Sequence, residues 1–145
     1  MRFDKLTTPF QTAIQDAQSL ALGNDNSFIE PVHLLAALVN QEGGSAKPIL
    51  QKAGVRLPAL VSALQAAMNR LPKVEGTGGE IQPSKELVNL FNLTDKEASK
   101  RGDAFIASEL FLLAAVDDKG EAGRLLRDNG ASRKALESAV NDIRG

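Results

Sequence analysis

Cysteine, tryptophan and tyrosine are absent from this chain, histidine occurs once, and phenylalanine supplies all six of its aromatic side chains. Without thiols there is no disulfide framework, no thiolate zinc site and no cysteine nucleophile, a pattern that fits a reducing, cytoplasmic setting. One imidazole cannot make a His-Glu-x-x-His metal site, and no Asp-rich loop of the calcium-binding kind occurs. No Gly-x-Ser-x-Gly elbow is present, and the glycine cluster at 76–79 lacks the Gly-Lys-Ser/Thr ending and preceding strand of a phosphate loop. Long apolar runs are also missing. Nothing approaches the roughly 18 apolar residues of a membrane span, and Met1-Arg2-Phe3-Asp4-Lys5 does not open like a signal peptide. Nor is either charge in excess: 17 Lys and Arg against 18 Asp and Glu leave a formal net charge of −1, so no basic field draws in a phosphate backbone. The composition therefore points away from an enzyme, a metal or other cofactor, nucleic acid and membrane.

What is present is helical periodicity, twice over. The run Phe28-Ile29-Glu30-Pro31-Val32-His33-Leu34-Leu35-Ala36-Ala37-Leu38-Val39 returns as Phe105-Ile106-Ala107-Ser108-Glu109-Leu110-Phe111-Leu112-Leu113-Ala114-Ala115-Val116, displaced by 77 positions. Each copy reads as a polar or proline start followed by a helix that is apolar nearly all round, as a central buried helix is. Two such helices suggest two cores.

The repeat extends outward from these helices. Thr7, Thr8 and Pro9 offer caps and a first-turn proline, and Phe10, Ala13, Ile14, Ala17, Leu20 and Ala21 then recur at helical spacing to about residue 22. Helices over about 31–40, 46–53 and 57–70 follow, stopped by turn chemistry at 23–27 and 41–45 and by Gly54. Ser84 stands 77 after Thr7, and Leu87, Phe91, Thr94 and Ala98 match Phe10, Ile14, Ala17 and Ala21 in a helix over about 84–100. After the helix over 105–116, Leu125-Leu126 and Gly130 match Ile49-Leu50 and Gly54 at a displacement of 76, with Leu136 and Val140 matching Leu60 and Leu64. The reading is an all-α chain of two tandem four-helix repeats with pseudo-two-fold symmetry: repeat one over about 1–71, a crossover at 72–83 and repeat two over 84–145.

Where the copies differ in polarity, one has been released from packing. His33 becomes Leu110, Val32 becomes Glu109 and Asn26 becomes Asp103. His33, among apolar neighbours, reads as a buried imidazole hydrogen-bonded to backbone or to Glu30. Leu93 falls off the apolar stripe of its helix. Leu93 and Leu110, with Asp103 and Glu109 at the rim, would make an acid-edged apolar groove suited to a flexible peptide with apolar and basic side chains.

Three motifs carry a resemblance over essentially the whole chain: Phe-Ile-Glu-Pro-x-His-Leu-Leu from Phe28, Asn-Arg-Leu-Pro-Lys-Val-Glu-Gly-Thr-Gly-Gly at 69–79, and Lys-Arg-Gly-Asp-x-Phe-Ile-x-Ser-Glu-Leu at 100–110. Together they resemble the amino-terminal domain of the bacterial Clp family of AAA+ disaggregases. The resemblance implies a double four-helix, non-catalytic module at the front of a hexameric ATPase ring, which engages unfolded or aggregated proteins and passes them to the ring. It implies a monomeric isolated domain without cofactor, ATP and Mg being expected only in the full-length protein. It places polar client-handling roles on Thr7, Asp103 and Glu109 and groove-lining roles on Phe91, Leu93 and Leu110, with Glu97 departing from an apolar position. The related amino-terminal domains of protease-coupled Clp ATPases, which take a folded adaptor, are the alternative reading.

Overall fold

The computed structural model describes residues 1–75 and 79–145. The glycine cluster of the crossover lies largely outside the described residues. Among the described residues eight α-helices dominate: α1 (Thr8–Gly23), α2 (Pro31–Asn40), α3 (Ala46–Lys52), α4 (Leu57–Arg70), α5 (Lys85–Arg101), α6 (Ser108–Val116), α7 (Glu121–Asp128) and α8 (Arg133–Arg144). A short 3₁₀ turn, Phe3–Lys5, precedes them, and two-residue strands β1 (Phe28–Ile29) and β2 (Gln82–Pro83) pair in parallel.

The equivalent starts of α1 and α5 are built alike. The Thr7 hydroxyl accepts from the Phe10 amide at 3.4 Å and the Ser84 hydroxyl from the Leu87 amide at 3.1 Å, each satisfying an otherwise unpaired donor of a first turn. Helix α5 stops at Gly102, whose φ of 70° is the left-handed geometry that glycine adopts without steric cost. The chain is thereby turned toward α6.

The repeats are cross-stitched. The Ser84 amide donates to the Ile29 carbonyl at 2.9 Å, and 77 positions away in both residues the Thr7 amide donates to the Ile106 carbonyl at 3.0 Å. Likewise Ile29 pairs with Pro83 while Leu6 pairs with Ile106. Each repeat thus leans the segment ahead of its first helix on the segment ahead of the other's second helix. A pseudo-two-fold axis relates the halves.

Two expectations require correction. Residues 105–107 are not helical: Ala107 is the extended N-cap of α6 and Ile106 is held by Leu6, so the helix begins at Ser108. Phe28 and Phe105, which open both copies, are 50% and 59% exposed, because extended backbone alternates its faces and sends only Ile29 and Ile106 inward. The two expected cores are one. The buried apolar side chains of both repeats form a single cluster, joined across the halves by contacts such as the Phe10 and Phe111 rings, 6.3 Å apart.

Candidate functional site

Helix α5 displays two of the candidate residues on nearly opposite sides. Residues two apart on an α-helix are turned by about 200°, so Phe91 and Leu93 cannot serve one surface. Phe91 faces inward and is buried, whereas Leu93 is 45% exposed. One turn beyond Leu93, the buried Glu97 carboxylate takes the Arg133 guanidinium at 2.6 Å, and Arg133 also donates to the Leu113 carbonyl at 3.0 Å. A charge at position 97 therefore closes an ion pair between α5 and α8 instead of interrupting an apolar patch.

The groove expected between Leu93 and Leu110 is not formed. Leu110 is wholly buried. Helix α6 is apolar on every side and enclosed by α5, α7, α8 and α3, so no face of it is released to solvent. His33 and its counterpart Leu110 are both buried, so the change of polarity between the copies does not mark a surface.

Asp103 and Glu109 meet at one corner through a shared cation, and Thr7 is tied by its amide to the carbonyl of Ile106, which lies between them in sequence. Arg144, in the last turn of α8, reaches across both acids: its Nε donates to Glu109 Oε2 at 3.1 Å and its terminal nitrogens approach the two Asp103 oxygens at 3.0 and 3.3 Å. The Ser45 hydroxyl at the start of α3 donates to the other Glu109 oxygen at 3.2 Å. Burial opposes the charge on Arg144, yet the hydrogen bonds to Asp103 and Glu109 hold its pKa above the ordinary value. Both acids are already engaged within the domain. Thr7 is engaged as the cap of α1.

An apolar groove lies elsewhere, between α1 and α5, with a volume of about 360 Å³. Its walls include Ile14, Ile29, Ile81, Leu87 and Phe91, and Phe3 forms its lip. The Phe3 and Phe91 rings meet edge to face at 5.7 Å, while more than half of Phe3 stays exposed. The chain start is held along α5 by Arg2, whose guanidinium donates to Asp95 at 2.6 and 2.9 Å, and by the terminal amine on Asn92 at 3.2 Å. The Arg2 hydrogen bond keeps the Asp95 carboxyl below its usual pKa. Of the candidate site residues expected from the sequence, Phe91 alone lines this groove. Phe3 and Ile81 were missed because Phe3 sits in an irregular start and Ile81 in the crossover, where no periodicity flags either.

His33 is buried and fully paired. Its Nδ1 accepts from the Glu30 amide at 2.8 Å, so its Nε2 carries the proton donated to Asn26 Oδ1 at 2.9 Å. Burial pushes the imidazole pKa down to about 4. Asn26 Nδ2 in turn donates to the Pro72 carbonyl at 3.3 Å, tying the start of the crossover to the first repeat. Among the described residues no group of three or more potential metal ligands converges, and no helix is long and apolar enough to cross a membrane.

Comparison with known proteins follows this architecture. The family profile of the Clp repeat (R) N-terminal domain matches residues 5–129. The chain is 51% identical over its whole length to the chaperone protein ClpB of Vibrio cholerae and 48% identical to that of Pseudomonas putida, and it spans 17% of the length of each. Among solved structures, the Hsp104 N-terminal domain from Candida albicans superposes with a TM-score of 0.84 at 21% identity, over 97% of this chain and 92% of that one. A ClpV N-domain in complex with a VipB peptide gives 0.75 at 20% identity, over 94% and 85% of the two chains. By its matched profile, its ClpB relatives and its doubled four-helix fold, the chain belongs to the Clp N-terminal domain family.

Proposed function

We propose that this domain is the client-binding front of an ATP-dependent protein disaggregase, and that it takes apolar segments of unfolded or aggregated polypeptides into the groove between α1 and α5. The supporting observation is that groove itself: apolar walls, an open mouth, and at its lip a phenylalanine left more than half exposed. Such a surface binds side chains without requiring a defined sequence, as a chaperone must. That a ClpV N-domain is known in complex with a peptide supports peptide binding as a use of the fold. Exposed Leu93 on the outer face of α5, and the Thr7, Asp103 and Glu109 corner, are proposed as secondary contacts.

A groove of this size, receiving a chain that must lose conformational freedom, gives affinities of roughly micromolar or weaker. In the full-length protein, a hexameric ring in the cytoplasm would raise capture by avidity across its copies and use ATP and Mg in its own ATPase modules. Titration of the chain with a permanently unfolded protein, reduced and carboxymethylated lactalbumin, tests the reading. Phe3→Ala is expected to weaken binding about three- to ten-fold while Leu93→Asp has a smaller effect. The reverse order would move the client surface to the outer face of α5. The ClpV and ClpD N-domains among the structural neighbours keep a second reading in view, docking of a folded adaptor, which a stoichiometric complex with one folded partner would favour.

A further inference from the structure

The pseudo-two-fold axis pairs the Arg144 corner with a second corner that is open. The operation carries α6 onto α2, α1 onto α5, α8 onto α4 and α3 onto α7, and at the second corner these elements enclose a cavity of about 440 Å³. Its floor is apolar: Pro31, Val32, Leu71 and Ala122. Four carboxylates line it, from Glu30, Glu86, Asp118 and Glu121. Among the described residues of its lining Arg70 is the single cation, and its guanidinium is drawn aside onto Glu121 at 2.6 Å.

The filled corner shows what chemistry this architecture accepts. There a guanidinium delivered by α8 sits between Asp103 and Glu109, next to Ser45, the residue 76 positions before Glu121. At the open corner Val32 replaces Glu109, which widens the space and makes its floor apolar, while the negative charge moves to the rim. We infer that this open corner is a second docking site, separate from the α1–α5 groove, for a partner polypeptide segment in which an arginine or lysine stands beside an apolar side chain. The apolar side chain covers Val32 and Ala122, and the cation lies among Glu30, Glu86 and Asp118. This charge requirement distinguishes the site from the α1–α5 groove, whose lining carries no ionisable side chain among the described residues.

The test uses the isotopically labelled chain and three blocked synthetic heptapeptides that differ at one central position, Ser-Gly-Leu-X-Leu-Gly-Ser with X as Arg, Gln or Glu. The Arg peptide is expected to shift the resonances of Val32, Leu71 and Ala122, to bind about ten-fold more tightly than the Gln peptide, and to weaken as salt is raised. Glu86→Lys, a change at an exposed first-turn position, should reduce Arg-peptide binding at least about five-fold, with the spectrum otherwise retained. Phe3→Ala should leave it unchanged, so failure here and failure of the α1–α5 groove are told apart. Equal binding of the Arg and Gln peptides, shifts centred on Phe3 and Phe91, or indifference to Glu86→Lys would each overturn the assignment.

Discussion

Leu110 and His33 occupy equivalent places in the two repeats, and both are sealed in the core. Leu110→Ala is expected to cost about 2–5 kcal/mol, as large-to-small changes in a packed core do, and Leu110→Asp to unfold the domain by burying a carboxylate. Denaturant melts of the two variants check this, and any loss of client binding by Leu110→Asp then reports lost structure. His33 makes a different prediction. Its folded pKa of about 4 lies below the ordinary 6.5, so the unfolded chain binds the extra proton. A neutral His33 therefore contributes fully above pH 6.5, and its contribution drains away as pH falls toward 4, by about 3 kcal/mol over that window. The cause is burial first, joined by the Glu30 amide that occupies Nδ1 and would face an added proton. Thermal melts between pH 7 and 4.5 should show this slope, and His33→Gln, although less stable at pH 7, should flatten it. The carboxyls of Asp95, Glu121 and Glu137, held low by hydrogen bonds from Arg2, Arg124 and Arg133, begin to lose their contribution at the acid end of this window, where the same carboxyls of the unfolded chain take up protons, and lose the rest below it.

The helices themselves were legible because their signals are local. Thr7 and Ser84 as caps, Pro9 and Pro31 in first turns, and Gly54 and Gly130 past helix ends mark boundaries through bonds that span a few residues. What escaped depends on partners far away in sequence. The late start of α6 is set by Leu6, and the fate of Asp103 and Glu109 by Arg144. Burial of Leu110 escaped for another reason: a helix apolar on all sides has no stripe from which to tell an inward residue from an outward one. Gly123 belongs with these. It lies inside α7, where glycine is ordinarily unfavourable, yet an added Cβ would overlap the carbonyl oxygens of Ala115, in the last turn of α6, and of Asp118, in the turn that follows it. The close seat of α7 on α6 therefore demands glycine. Gly123→Ala is expected to destabilise the fold by about 2–4 kcal/mol despite alanine's higher helix propensity, as denaturant unfolding would show. A neutral or stabilising outcome would mean that α7 shifts away from α6 at little cost.

On the scale of the whole molecule, a repeated sequence does not imply repeated folding units. Two independent bundles would each close their own core, but here the apolar interior is continuous and each half begins on a segment that the other half supports. A piece of about 70 residues is in any case marginal, since it buries too small a share of its surface to offset chain entropy by a wide margin. Deprived of its partner, residues 1–75 would expose the Phe10 ring where Phe111 packs and leave the Thr7 amide without the Ile106 carbonyl. Residues 79–145 would leave the Ser84 amide without the Ile29 carbonyl. Either fragment alone is therefore expected to show less than about half the helical circular dichroism of its share of the intact domain and no cooperative melt, whereas an equimolar mixture should recover both. Recovery in the mixture is the informative result, because it requires the two-fold set of cross-bonds to form between separate chains. A single fragment that melts cooperatively by itself would show that the stitching is incidental and that the halves are domains in their own right.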